Sequence, residues 1–358
     1  MKSKNKGLLF EAVRTLIAIG IALVLAIVLI ALVSDDPAEA LNKFLLGPLA
    51  SFKRFANVIE MAIPFIFTGL AVCIMFQAKQ FNMIAEGGFF IGGVAAAFIG
   101  IKIGAPMGIH PVIAILAGGF IGGLAGLIPG FLKAKYKADE FVSSLMLNYV
   151  LLYIGLFILN YVLRDESAGS VASHILADTS RLPVVIPGTR LHFGLILAIV
   201  AIILTYVYLY RTKWGYSIRM TGLNSNFAEY SGINTAKVII YSQIIGGALA
   251  GIGGSIEILG MHDRFQWQAL PGIGFDGILV AILARNNPLF VPIGAIFLAY
   301  LRVGADIMSR SSDVPSEVII VIQAIMIMLI AAQRFLEKYR HKMIVKDSTK
   351  NLEVKGEK

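Results

Sequence analysis

The chain has 358 residues, of which 57% are apolar and only 15% charged, with a mean hydropathy of +0.79 and a formal net charge of +9. Soluble domains carry about 25% charged residues, so too few charges are present to clothe a water-facing surface, and the same figures exclude disorder. The single cysteine, Cys73, excludes a disulfide scaffold. Lys and Arg fall between apolar runs and in the tails, which is a topology signal before it is an affinity for nucleic acid.

Crossing a hydrocarbon core of about 30 Å takes about 20 apolar residues in a helix. In chain order the apolar runs are 12–33, 57–77, 81–101, 111–132, 141–163, 191–210, 238–260, 270–284, 289–305 and 316–333. They lack the ten-residue alternation of a membrane barrel. The expectation is therefore an all-α, polytopic integral membrane bundle of about ten transmembrane helices. Residues 1–11 form an N-terminal tail, 12–335 the membrane domain and 336–358 a basic C-terminal tail. Placing both termini in the cytoplasm gives the inner segments about two Lys or Arg for each one in the outer segments, as the positive-inside bias requires. The run 270–284 is short, with Arg285, Asn286, Asn287 and Pro288 directly after it. A re-entrant loop there would reverse the parity and put the basic tail outside, so the reading is a short span. The first run follows Lys2, Lys4 and Lys6, but no small-x-small cleavage site precedes Ser34, so it reads as an uncleaved anchor.

Small residues recur at every fourth position in three runs: Gly88, Gly92 and Ala96; Gly118, Gly122 and Gly126; Gly246, Ala250 and Gly254. Such ridges let helix backbones approach closely in lipid. Polar residues within the runs are Glu60, Gln77, Asn82, Glu86, Asn148, Gln243, Glu257 and Asp276; each either holds the bundle together or lines a path. Asn82 and Glu86 are four residues apart and share a helix face. No chain of acids crosses the bilayer centre as a proton relay would. The five histidines, at 110, 174, 192, 262 and 341, lack metal-ligand spacing, so neither a metal nor a cofactor is expected. No phosphate-binding loop, nucleophile elbow or zinc-protease motif occurs. The chain is not read as an enzyme.

The longest inner segment, 211–236, contains a short stretch from Asn224 to Ser231 with the form of a capped helix stopped by Gly232. Phe227, Ala228 and Tyr230 make it a knob that would dock into a groove on a cytoplasmic partner or lie on the membrane surface. The largest outer segment is 164–190.

Four segments carry a resemblance. Phe81-Asn82-Met83-Ile84-Ala85-Glu86-Gly87-Gly88-Phe89, Glu140 to Tyr149 (Glu-Phe-Val-Ser-Ser-Leu-Met-Leu-Asn-Tyr), Gly222-x-Asn224 through Ala228 to Gly232-Ile233, and Gly274-Phe275-Asp276-Gly277-Ile278 with Arg285-Asn286-Asn287-Pro288 resemble the permeases of bacterial ATP-binding-cassette importers of the branched-chain amino acid, ribose and simple-sugar type. Among these the second segment is most similar to the nucleoside permeases. Met83, Ile84, Gly88 and Ala284 depart from the family pattern. The resemblance implies a multi-pass permease of the bacterial plasma membrane that forms, with a second permease in a heterodimer, the path for a nucleoside. Separate ATPase subunits would drive it, and an extracytoplasmic receptor lipoprotein would deliver substrate to the outer loop. It places ATPase contact on Asn224, Glu229, Tyr230, Gly232 and Ile233, and the substrate path at Asn82, Glu86 and Asn148. A simple sugar such as ribose or galactose is the alternative substrate, and an ion-coupled carrier the alternative machine.

Overall fold

The computed structural model describes residues 36–312, together with the isolated positions Val24, Val28 and Val321. The expected spans 12–33 and 316–333 lie outside these residues. Among the described residues 36–312 eleven α-helices follow in order: α1 Pro37–Leu46, α2 Phe52–Gln77, α3 Ile84–Lys102, α4 Ile109–Tyr136, α5 Glu140–Ile158, α6 Gly194–Arg211, α7 Lys213–Leu223, α8 Ser225–Tyr230, α9 Thr235–Met261, α10 Ile273–Leu283 and α11 Val291–Ser311. A π-helical turn carries α5 on to Leu163. Among the described residues seven helical stretches are long and apolar enough to cross a membrane, and α10 is too short. Several begin earlier or end later than their apolar runs, because polar caps rather than apolar composition set the ends. Ser51 accepts the Arg54 N–H at 3.2 Å, Asp139 those of Phe141 and Val142, and Asn234 that of Lys237 at 3.0 Å.

The chain divides into two compact units, 1–48 with 301–358, and 49–300. In the first, Pro37 and the Asp36 cap start α1, and Phe44 is buried with its carbonyl against Gly304. The second unit holds everything that follows.

Here the segment 212–234 marks one end, called lower. From it α9 rises, α6 descends to it, and α2, antiparallel to α3, also ends beside it. The core is a three-helix crossing of α3, α4 and α9 in which backbone meets backbone. Gly118, Gly122 and Gly126 of α4 lie on Gly247 and Gly251 of α9 and on the Gln243 carbonyl, and Gly92 of α3 reaches Gly251. Ser255 Oγ bridges two of these helices, donating to Gly251 O at 2.8 Å and Gly92 O at 3.2 Å. The α4 and α3 ridges are those the glycine spacing picks out. On α9 the crossing uses two faces: Gly247 and Gly251 meet α4, and Ala250 and Gly254 meet Gly88 and the Phe89 carbonyl of α3, while Gly246 faces Met75 of α2.

The run 270–284 is the second half of a broken crossing. From the upper end of α9 the chain runs without helix through residues 262–272, reaching membrane depth where Trp267 stacks on Phe89 at 5.6 Å between ring centroids. It then forms α10, which lies parallel to the lower half of α2: Gly277 sits against Thr68, and Gln77 Nε2 donates to Asn286 O at 2.9 Å. Non-helical backbone at this depth is tolerated where protein or water, not lipid, surrounds it. Above it, the loop 164–193 is zipped to the same segment, with Ser173 N–H to Phe265 O at 2.9 Å, Arg181 to Asp263 at 2.8 Å and Arg264 to Asp165 at 3.4 Å. His192 is fully buried there, its Nδ1 accepting the Gly194 N–H at 3.1 Å, and burial pushes its imidazole below the ordinary value, so it is neutral at pH 7.

Candidate functional site

Two features carry chemistry, one at the lower end and one about half-way up the bundle, where α10 begins. The first is the segment 212–234. Thr212 caps α7 by accepting the Gly215 N–H at 3.1 Å, and α7 is pinned under the membrane helices. Ile218 packs with Ile74, Ala78, Leu209 and Val238, Gly222 touches the Gln77 carbonyl, and the Arg219 guanidinium lies 4.9 Å over the Tyr210 ring. Asn224 then ends α7 and caps α8, accepting the Phe227 N–H at 3.0 Å. Gly232 stops α8 with φ +83, a left-handed turn that costs glycine nothing. The turn closes through Gly232 N–H to Glu229 O and Ile233 N–H to Ala228 O. Ala228 alone points in, and Tyr230 is 93% exposed, with Phe227 and Leu223 exposed beside it. Of the five residues expected to contact a partner, Asn224 and Gly232 shape the knob, Glu229 and Tyr230 are exposed on it, and Ile233 is half-buried at its foot. A six-residue helix with an apolar exposed tip on a rigid platform suits docking into a groove of another protein.

The second feature is the junction around the first turn of α3, where Asn82, Glu86 and Asn148 come together with no exposed surface. Each is engaged within the chain. Asn148 accepts the Gly87 N–H and donates to Met83 O, both at 3.0 Å. Asn82 accepts the Ile84 N–H at 2.6 Å and donates to Gln243 of α9. Glu86 reaches across to cap α10 in place of a cap of its own: its two oxygens accept the N–H groups of Gly272 at 2.7 Å, Gly274 at 2.6 Å and Phe275 at 3.2 Å. Its acceptor oxygens here meet the positive end of the α10 dipole. Gly272, at φ +78, turns the descending segment into that helix, and Gly274 lies against the Glu86 backbone.

The sequence reading did not single out Glu140 and Ser144 as part of this junction. Glu140, Ser144 and Asn148 stand four residues apart on one face of α5, and each accepts a backbone N–H of the α3 entrance: Phe81 at 3.3 Å, Met83 at 2.9 Å and Gly87. Glu140 also pairs with Lys133 at 2.6 Å. The i, i+4, i+8 spacing of three polar residues in an apolar helix was the available signal. Asn148→Ala removes the acceptor of the Gly87 N–H in the interior and leaves the Met83 carbonyl with the Glu86 N–H at 3.3 Å. The expected cost is about 1–3 kcal/mol, read as a lower thermal midpoint of the detergent-solubilised protein; an unchanged midpoint would refute this role.

Among the described residues no group of three His, Cys, Asp or Glu is placed to hold a metal. Two apolar cavities, of about 550 and 310 Å³, lie between α3, α4 and α5 and between α4 and α9, lined by aliphatic and phenylalanine side chains and glycines.

Residues 54–331 match the family described as branched-chain amino acid transport system / permease component. Similar curated proteins include the glucose ABC transporter permease protein TsgB13 of Haloferax volcanii, 29% identical over 85% of this chain and 83% of its own length. The guanosine ABC transporter permease protein NupP of Bacillus subtilis is 32% identical over 77% and 80%. The nucleoside ABC transporter permease protein NupB of Lactococcus lactis is 26% identical over 96% and 97%.

Proposed function

The chain belongs to the permease component family of branched-chain amino acid transport systems, and from that premise we propose that it is the membrane subunit of an ATP-driven nucleoside importer. The exposed α8 knob carries this reading. A permease without a nucleotide site of its own needs a rigid projection through which a separate ATPase can move the bundle. In this reading the lower end is cytoplasmic, both termini lie there, and the helices number about ten. A second, related permease completes the path as a heterodimer, and a receptor lipoprotein docks on the upper loops 164–190. Asn82, Glu86 and Asn148 act on the path by tying the start of α3 to α5, α9 and the upper end of α10.

Motion of α8 reaches the path along a short route. α7 bears on Gln77 through Gly222, and Gln77 bonds Asn286 at the end of α10, whose other end Glu86 holds. The substrate follows from the guanosine and nucleoside permeases among the similar proteins; the glucose permease favours a sugar as the second reading. Uptake of labelled guanosine and uridine by cells lacking and regaining the chain, with glucose and ribose as competitors, separates the two. Nucleoside uptake that is lost, rescued and indifferent to sugars is the expected result. Uptake of glucose instead would move the chain to the second reading.

Tyr230→Ala and Glu229→Lys test the knob. An exposed tyrosine central to an interface is worth about 2 kcal/mol or more, so uptake should fall at least tenfold while the protein stays in the membrane at its usual level. Normal uptake by both variants would remove α8 from the coupling role.

A further inference from the structure

The exposed flank of α5 differs from those of α4 and α6. On α4 the exposed large side chains above Tyr136 are Ile109, Val112, Ile113, Leu116, Phe120, Leu124, Ile128 and Phe131, and on α6 they are Ile196, Ile199, Val200, Ile203, Leu204 and Val207. None of them has a polar atom, as contact with hydrocarbon demands. On α5, on the side away from the stripe of Ser144, Asn148 and Gly155 packed against α3, Tyr149, Tyr153, Phe157 and Tyr161 recur at every fourth position as an aromatic column, flanked by the exposed Val142, Met146, Val150 and Ile154. Tyr149 is 53%, Tyr153 69% and Tyr161 80% exposed.

Their depth is the telling point. The crossing runs from Glu140 to Leu163, so at 1.5 Å per residue Tyr149 and Tyr153 lie within about 4 Å of its middle. Membrane tyrosines belong at the two interfaces, where the ring is apolar and the hydroxyl wet. Tyr136 at the foot of α4 and Tyr210 at the foot of α6 follow that rule. A hydroxyl at the bilayer centre facing lipid has no partner and costs free energy. Tyr149 and Tyr153 make no hydrogen bond within the described residues, so their hydroxyls need a partner from outside them.

We infer that this column is the wall of the translocation path and that Tyr149 and Tyr153 stack on the nucleobase as it passes, so that they select for aromatic substrates. The inference rests on the nucleoside reading above. Purine and pyrimidine rings present a π-face to such a column, and phenol hydroxyls serve the ribose and base edges. Stacking a base on an aromatic side chain is worth about 1–3 kcal/mol, which is about 5- to 140-fold at 1.4 kcal/mol per decade.

The test uses the assembled transporter in proteoliposomes. Tyr153→Cys should react with a water-soluble, membrane-impermeant methanethiosulfonate, and Ile203→Cys on α6 should not; the native Cys73 is buried and leaves a silent background. Tyr153→Leu should reduce nucleoside uptake at least fivefold, and Tyr153→Phe, which keeps the ring and loses the hydroxyl, should reduce it less. A Tyr153→Cys protein as unreactive as Ile203→Cys would overturn the wall, and normal uptake by Tyr153→Leu would overturn the stacking. Wild-type transport of glucose and not of nucleosides would instead overturn the substrate reading and the stacking with it, while the labelling would still decide whether the column faces water.

Discussion

Glu86→Ala is expected to cost about 3 kcal/mol or more of stability and to abolish uptake. The carboxylate holds three N–H groups at the start of α10, and a buried donor left without an acceptor costs about 1–3 kcal/mol. α10 has no alternative cap, since Gly272 offers no side chain and the descending segment enters it directly. Glu86→Gln keeps one acceptor oxygen of the two, so it should fall between wild type and alanine. Thermal unfolding in detergent orders the three proteins, and an alanine variant with the wild-type midpoint would sink the argument. The expected loss of transport has the same origin. Without the cap the half-helix frays, and the closure of the lower end loses one of its walls.

The other large effect is expected at the three-helix crossing. A methyl group on Gly251 would touch the Gly118 carbonyl and lie 3.1 Å from the Gly122 Cα. Both obstacles are backbone, so no side-chain rotation relieves them, and α4 must move away from α9. Overpacking a core costs about 1–3 kcal/mol when side chains absorb it; here Gly251→Ala should reach the top of that range and Gly251→Leu should prevent accumulation in the membrane. Gly169→Ala, in an exposed loop with nothing within 4 Å, is the control that should be silent. Membrane-fraction blots and thermal midpoints read both. A Gly251→Leu protein of normal abundance would show that the helices are not in contact there.

Hydropathy and caps made much of this legible. The seven described spans fall on apolar runs, because length and burial of backbone polar groups are local demands of the membrane. The Asn224-capped helix ending at Gly232 was readable for the same reason, since a cap and its stop lie within nine residues. The α9 contact stripe was legible only in part: Ala250 and Gly254 do meet α3, but the contacts with α4 fall on Gly247 and Gly251. That helix carries Gly246, Gly247, Gly251, Gly253 and Gly254, so fourfold spacing fits two faces, and only the positions of α2 and α4 decide between them. The partners of Glu86 are 186 to 189 residues further on, and no local pattern announces them. Asn82, Glu86 and Asn148 were therefore visible as costly polar residues, while their partners came only with the fold.

The broken crossing also bears on how the protein is made. An eleven-residue helix preceded by extended chain has too little continuous apolar length to partition into a bilayer by itself. What receives it is already in place, because α2 and α3, which supply Thr68, Gln77 and Glu86, are synthesised nearly 200 residues earlier. This segment enters the membrane as a late guest of folded protein, and defects in α3 will surface during biogenesis as misthreaded C-terminal chain.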